Sequence, residues 1–228
     1  MNRHVLKGDP PVEVVLRRSA RARRISLRVS GIDGRVTLTL PKGASEREAL
    51  EFAEEKADWL RGHLARRPDE VAVGLGIELP FRGAVLRVVA GQGRQVVPGD
   101  GLIAVPGVAD RTAARLQGFL KETARARLAE ASDRYAAALG RDYQRLSLRD
   151  TRSRWGSCSA QGGLMYSWRL IMAPDAVLDY VAAHEVAHLA EMNHSNRFWA
   201  TVERLYGDYR PPRRWLREKG AGLHRFRF

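Results

Sequence analysis

Residues 174–194 read PDAVLDYVAAHEVAHLAEMNH. Pro174-Asp175 is a helix start, since proline suits the first turn and an acid there complements the helix dipole. At 100° per residue, Leu178, Val181, Ala182 and Leu189 fall on one stripe, and Glu185 lies in the middle of it. A carboxylate on an apolar stripe is buried, which is expensive unless a cation or hydrogen bonds compensate it. His184 and His188 are four apart, so both imidazoles leave the same face one turn apart and can share an ion. The spacing predicts a helix end at Met192-Asn193, because asparagine tolerates the left-handed turn, and that turn can swing His194 back under the helix. Three nitrogen ligands and a water would favour zinc over magnesium or calcium, which want oxygen. The competing readings are a charged helix with two chance histidines, and for His194 a capping or surface role.

An apolar helix of this kind needs layers around it, and the flanking sequence supplies them. Upstream, RSRWGSCSAQGGLMYSWRLI reads as two strands around Gly162-Gly163, preceded by the short strand LSLRD. A long helix rich in Ala, Leu, Arg and Glu runs from about Asp110 to Leu139, where Gly140 ends it. Downstream, Ser195 caps a helix with Phe198, Trp199, Val202 and Leu205 on its inner side, and Pro211-Pro212 starts a last short helix. The first half is different in kind. EVVLRRS, ARRISLRVS and GRVTLTLP read as strands, with a turn at Gly31-Ile32-Asp33-Gly34. Ser45 and Glu48 form a capping box before a helix whose face is Leu50, Phe52, Ala53, Ala57, Leu60 and Leu64, stopped by Arg66-Arg67-Pro68. IELPFRG, AVLRVVAG and GLIAVPG return to strands, with a turn at Pro98-Gly99-Asp100-Gly101. The order is α+β: a β-rich N-terminal half, then a mostly helical C-terminal half. It divides into a β-rich region with one helix, residues 1–108, and a second region, residues 109–228, or forms one continuous domain.

The composition is that of a globular chain, with 228 residues of which 44% are hydrophobic. No run approaches the roughly eighteen apolar residues of a membrane span, so no membrane partner is expected. The start MNRHVLKGDPPVEVV has no apolar core or small-residue cleavage site, which predicts no signal peptide. Cys158 is the one cysteine, which rules out an internal disulfide and suits a reducing, cytoplasmic setting. The balance is basic, 39 Lys plus Arg against 26 Asp plus Glu, a formal +13, and arginine supplies nearly all of it. Such an excess fits an anionic partner or a merely solvated basic surface. Six arginines, Arg17, Arg18, Arg21, Arg23, Arg24 and Arg28, fall between residues 16 and 28 with no acid among them. On strands they would line a hairpin, as a phosphate or nucleic-acid surface or as protection of an edge strand.

The blocks TRSRWGSCS, SWRLIMAPDAVLDYVAAHEVAHLAEMNHSNRFW and YRPPRRWL resemble the YgjP-like family of metal-dependent hydrolases, related to the SprT and WLM zinc metallopeptidases. RRSARARRISLRV and EKADWL fit as well, so the likeness runs across nearly the whole chain. It implies a zincin-like active-site helix with zinc ligands at His184, His188 and His194, and Glu185 as catalytic acid and base. Ser167 departs from the asparagine that family members often carry there, which implies a local change in hydrogen bonding. The resemblance implies a peptide or protein substrate; a nucleoside triphosphate pyrophosphatase and a nucleic-acid-associated protease are the alternatives. Directly before the active helix, Arg152 and Arg154 are candidates to face an anionic or carbonyl oxygen that charges up in the transition state. Trp155 and Cys158 are cleft or core residues. Cys158 is a poor candidate nucleophile, because no helper histidine adjoins it. His4, His63 and His224 have no partner spacing and read as structural.

Overall fold

The computed structural model describes residues 3–30, 34–65 and 69–228; the expected turn at 31–33 and the helix stop at 66–68 lie outside them. Contacts divide the chain into two compact units, Met1–Asp69 and Glu70–Phe228.

In the first unit, strands β1 (Arg3–Leu6), β2 (Val12–Ser19), β3 (Ser26–Val29) and β4 (Val36–Pro41) form a sheet in the order β1-β2-β4-β3. β2 runs parallel to β4; the other two pairings are antiparallel. Strict alternation sends Val12, Val14, Leu16, Val36, Leu38 and Leu40 to one face, where they bury against Ala49, Ala53, Ala57 and Leu60. The single helix expected over this stretch is two, α1 (Glu46–Glu55) and α2 (Ala57–Ala65), separated at Lys56. The capping box does not form: the Ser45 side chain makes no cap hydrogen bond, and its carbonyl accepts from the Ala49 N–H instead. Of the six arginines, Arg17 and Arg18 end β2 and Arg28 is on β3, but Arg21, Arg23 and Arg24 lie in the connection between these strands. The expected hairpin of arginines is therefore half loop.

The second unit begins with β5 (Val71–Ala72) and a sheet of β6 (Glu78–Phe81), β7 (Ala84–Gly91), β8 (Val97–Pro98) and β9 (Leu102–Pro106), in the order β6-β7-β9-β8. Its inner residues Leu79, Val88, Ile103 and Val105 share one core with α3 (Thr112–Leu139). That shared core is why the division falls at 69/70 and not near residue 108. α3 buries Leu116, Leu120, Ala124, Leu128, Ala131 and Tyr135, a stripe of threes and fours, and ends as expected at Gly140 with a φ of 69°.

A third sheet, β10 (Arg145–Arg149), β11 (Gly156–Cys158) and β12 (Gly163–Ser167) in the order β10-β12-β11, meets α3 through β10. β11 is thus an edge strand, antiparallel to β12 with Ser157 opposite Met165. The strand expected to continue through SWRLI stops at Ser167, and Trp168–Met172 winds into a 3-10 helix. All five of those side chains are buried, which an alternating half-exposed strand would not allow. Next come α4 (Asp175–Ala187), α5 (Asn196–Tyr206) and α6 (Arg210–Lys219), then a 3-10 turn, Gly220–Arg225, and β13 (Phe226–Arg227) beside β5. Among the described residues, no helix is long and apolar enough to cross a membrane.

Candidate metal centre

α4 is buried on nearly all sides, from Val177 to Ala187, as a helix apolar around its whole circumference must be. Asp175 fixes its start: Arg82, in the turn between β6 and β7, grips the carboxylate at 2.6 and 3.0 Å. Tyr206 of α5 donates to the Ala176 carbonyl at 2.8 Å, and Arg134 of α3 bonds Asp179 at 3.2 Å. The far end is shorter than the asparagine signal implied. The helix stops at Ala187, with His188 as its C-cap, and tightens into turns in which Leu189 and Ala190 bond the carbonyls three residues back. This early stop leaves residues 188–194 free to curl under the helix end, and Ser195 restarts the chain by accepting from the Phe198 N–H.

The curl gathers three imidazoles. One ring nitrogen from each of His184, His188 and His194 lies within 4.8 Å of the other two, a cluster able to hold a metal ion. The His184 and His194 Nε2 atoms are 3.1 Å apart. Two donors on one tetrahedral ion at zinc–nitrogen distances sit about 3.3 Å apart, so the pair already stands near the separation an ion imposes. His188 Nδ1 is 3.0 Å from the Glu191 carbonyl, which can only accept; the proton therefore sits on Nδ1 and the Nε2 lone pair is free. Phe198, fully buried, contacts all three rings: stacked on His188 at 4.4 Å, and edge-on to His184 and His194 at 4.9 and 4.7 Å. Burial, reinforced by the neighbouring histidines and Arg213, holds the His184 pKa down to about 3; burial also lowers that of His188. Both rings are thereby kept neutral, the form a metal requires.

Glu185 is 6% exposed, as its place on the stripe required. Burial pushes its pKa up to about 8, and Arg154 opposes the rise. It lines a cleft of about 420 Å³ with the three histidines, Ser153, Arg154, Met192 and the whole of β11. A Cβ on Gly156 would lie 2.5 Å from Glu185 Oε1 and 2.6 Å from its Cγ, so only glycine lets the edge strand pass this close.

The two candidate arginines separate. Arg154 lines the cleft, whereas Arg152 acts on Asp150 and His224 and is absent from the cleft wall. Cys158 is in the cleft, but burial and Glu185 raise its thiol pKa to about 11, so it is no thiolate at neutral pH. Trp155 packs against His224 at 5.2 Å, while His63 stacks on Trp59 at 5.3 Å and His4 sits in β1. Ser167 is fully buried with its Oγ unpaired among the described residues.

Sequence reasoning missed Ser153 and Met192 as cleft lining, while Ser157, expected on a strand along the cleft, does line it. It also missed the buried Arg169, whose Nε bonds Asp150 at 2.7 Å and whose Nη1 bonds the carbonyls of Leu223 and Phe226 at 2.9 and 3.1 Å. Only the motif WRL marked Arg169, and its partners lie up to 57 residues away.

The chain matches the model of the YgjP-like metallopeptidase domain over residues 23–219. No curated protein matches it. Among solved structures, the crystal structure of the metallopeptidase zymogen of Pyrococcus abyssi abylysin is similar, with a TM-score of 0.36 and 18% identity, over 40% of this chain and 95% of that one. The family match takes in β11, α4, the three histidines and α6 together with most of the remaining chain, and the protein belongs to the YgjP-like metallopeptidase-domain family.

Proposed function

We propose that the protein is a zinc-dependent hydrolase of peptide bonds, with His184, His188 and His194 holding the metal and Glu185 serving as general base and acid. The observation that carries this reading is the convergence of three imidazoles beside a buried carboxylate in one open cleft. Bound zinc would supply a Lewis acid and bring the pKa of a water toward neutrality. Glu185, confined by Gly156, accepts a proton from the attacking water and returns it to the leaving amine. Burial raises the Glu185 pKa to about 8 with no metal beside it, and a bound cation would favour the carboxylate that takes up the proton. Arg154 offers the cleft a guanidinium for the oxygen that gains charge at the scissile carbon.

Two features favour a peptide. The outer edge of β11 has no strand partner among the described residues, so its backbone N–H and C=O groups can pair with an extended chain laid along the cleft. Nucleotide hydrolysis more often recruits magnesium through several carboxylates, and Glu185 is the one carboxylate in the described cleft lining.

Elemental analysis and cleavage of a fluorescein-labelled unfolded protein test the assignment together. The purified chain should carry about one zinc, which His188→Ala largely loses. Glu185→Gln should keep the zinc while turnover drops by roughly 10²-fold or more. Undiminished zinc in His188→Ala would remove that ligand, and undiminished cleavage in Glu185→Gln would remove the base.

A further inference from the structure

The segment RPPRRWLR, residues 210–217, spaces four arginines at i, i+3, i+4 and i+7 of α6. Arg210, Arg213, Arg214 and Arg217 therefore leave the helix from one stripe, about 10 Å long at the helical rise. All four are exposed, and they line a recess of about 380 Å³ between them. Like charges at these spacings weaken a helix, so the stripe does nothing for the stability of α6. Nearby acids answer it only in part. Asp208 bonds Arg210 at 2.7 Å, and Glu218 stands 3.9 Å from Arg217. Arg213 lies over the Trp199 ring, 4.6 Å from its centroid, and Arg214 has no acidic partner among the described residues.

The stripe adjoins the metal cluster. α6 packs on α4, and Trp199, beneath Arg213, stacks on the His194 ring with centroids 5.7 Å apart. A peptide passing the three histidines is thus within reach of the arginines.

We propose that the α6 arginine stripe is a specificity subsite that takes acidic side chains of a peptide held in the cleft. The proposal rests on the peptidase reading above. Side chains on one face of an extended chain recur about every 7 Å, so a stripe of this length meets carboxylates at alternate positions. Each guanidinium can hold a carboxylate through two parallel hydrogen bonds. Single-stranded nucleic acid fits less well. Its bases need open aromatic faces, and Trp199 is already covered by Arg213 and by Tyr209, stacked at 4.9 Å.

The test is fluorescence anisotropy with zinc-loaded, full-length Glu185→Gln protein, which holds probes without cleaving them. The probes are a labelled peptide with Asp and Glu at alternate positions, its Asn/Gln isostere, and a single-stranded DNA oligonucleotide. The acidic peptide should bind about tenfold tighter than the isostere, an advantage that falls with added salt. Adding Arg214→Ala and Arg217→Ala, both on exposed positions, should abolish that advantage while isostere binding and the melting temperature stay unchanged. Equal binding of the two peptides overturns the proposal. So does a double variant that loses DNA affinity alone, which would make the stripe a nucleic-acid contact. Cleavage by the wild-type enzyme separates the two readings. Cleavage with no acidic preference sinks the subsite and leaves the peptidase standing. An Arg214- and Arg217-dependent preference without cleavage keeps the stripe as an acidic-peptide site and sinks the peptidase.

Discussion

Gly156 and Glu185 are in such close contact that a single methyl group decides where the carboxylate can sit. The Cβ of an alanine at 156 would meet Glu185 at its Cγ and Cδ as well as at Oε1, so rotating the carboxylate tip alone does not relieve the clash. The whole side chain has to move, in surroundings that leave it 6% exposed. Misplacing a catalytic group by about 1 Å can cost roughly 10²-fold in rate. Gly156→Ala should therefore lower cleavage by at least about tenfold and destabilise the fold by about 1–3 kcal/mol, as overpacking does. Zinc content should not change, because the three imidazoles are held by Phe198 and the Glu191 carbonyl and not by β11. Parallel assays of zinc, cleavage and melting would check this, and full activity in the variant would mean that Glu185 has room to spare. Spacing alone announced His184, Glu185 and His188. The role of Gly156 could not be read the same way, because nothing local in RWGSC says which side chain its missing Cβ makes room for.

At the scale of elements, the strand carrying Gly156 is steadied from behind by the C-terminal segment. Trp155 packs on His224 and lies against Gly220, where a Cβ would come within 3.0 Å of its ring. Arg169 ties that segment down through Asp150 and the carbonyls of Leu223 and Phe226. Burial raises the Asp150 pKa, but the Arg169 hydrogen bond and charge outweigh this and bring it below its usual value. His224 goes the other way from an exposed histidine. Burial, with Arg169 and Arg152 nearby, holds its pKa down to about 4 despite the attraction of Asp150. The native state thus keeps His224 neutral while the unfolded chain takes a proton below about pH 6.5. His224 consequently contributes stability that is complete above pH 6.5 and is lost as pH falls toward 4. His224→Phe, which keeps a ring against Trp155, should flatten that part of the profile. Relative to its pH 7 difference from the parent, the variant should gain about 2 kcal/mol at pH 4.5. Urea unfolding at the two pH values measures it, and parallel profiles would show that His224 does not titrate in this window. The sequence left His224 as a lone structural histidine, and its network stayed hidden because Asp150, Arg169 and His224 are separated by tens of residues.

On the scale of the whole molecule, periodicity told strands from helices well, and long-range burial was what it could not supply. Val36, Leu38 and Leu40 alternate, and α3 repeats in threes and fours, so both were legible as elements. Which elements share a core was not. β6, β7 and β9 look like a continuation of the N-terminal strands, yet Leu79, Val88 and Ile103 bury with Leu116, Leu120 and Leu178. The N-terminal strands keep a separate core of their own, built on Leu6, Val14, Leu38 and Leu60. Every residue of the histidine cleft lies in the unit Glu70–Phe228. A unit of that size with one contiguous core buries enough surface to fold alone. Residues 70–228, expressed without the first 69, should therefore melt in one cooperative transition and hold about one zinc per chain. A fragment starting at residue 109, which lacks β6 to β9, should not, since it exposes the face of α3 on which Leu116 and Leu120 are buried. Calorimetry and zinc analysis on both fragments give the answer. Should the shorter fragment fold and bind zinc as well as the longer one, the sheet of β6 to β9 would be dispensable to the core, and the boundary would belong near residue 108 after all.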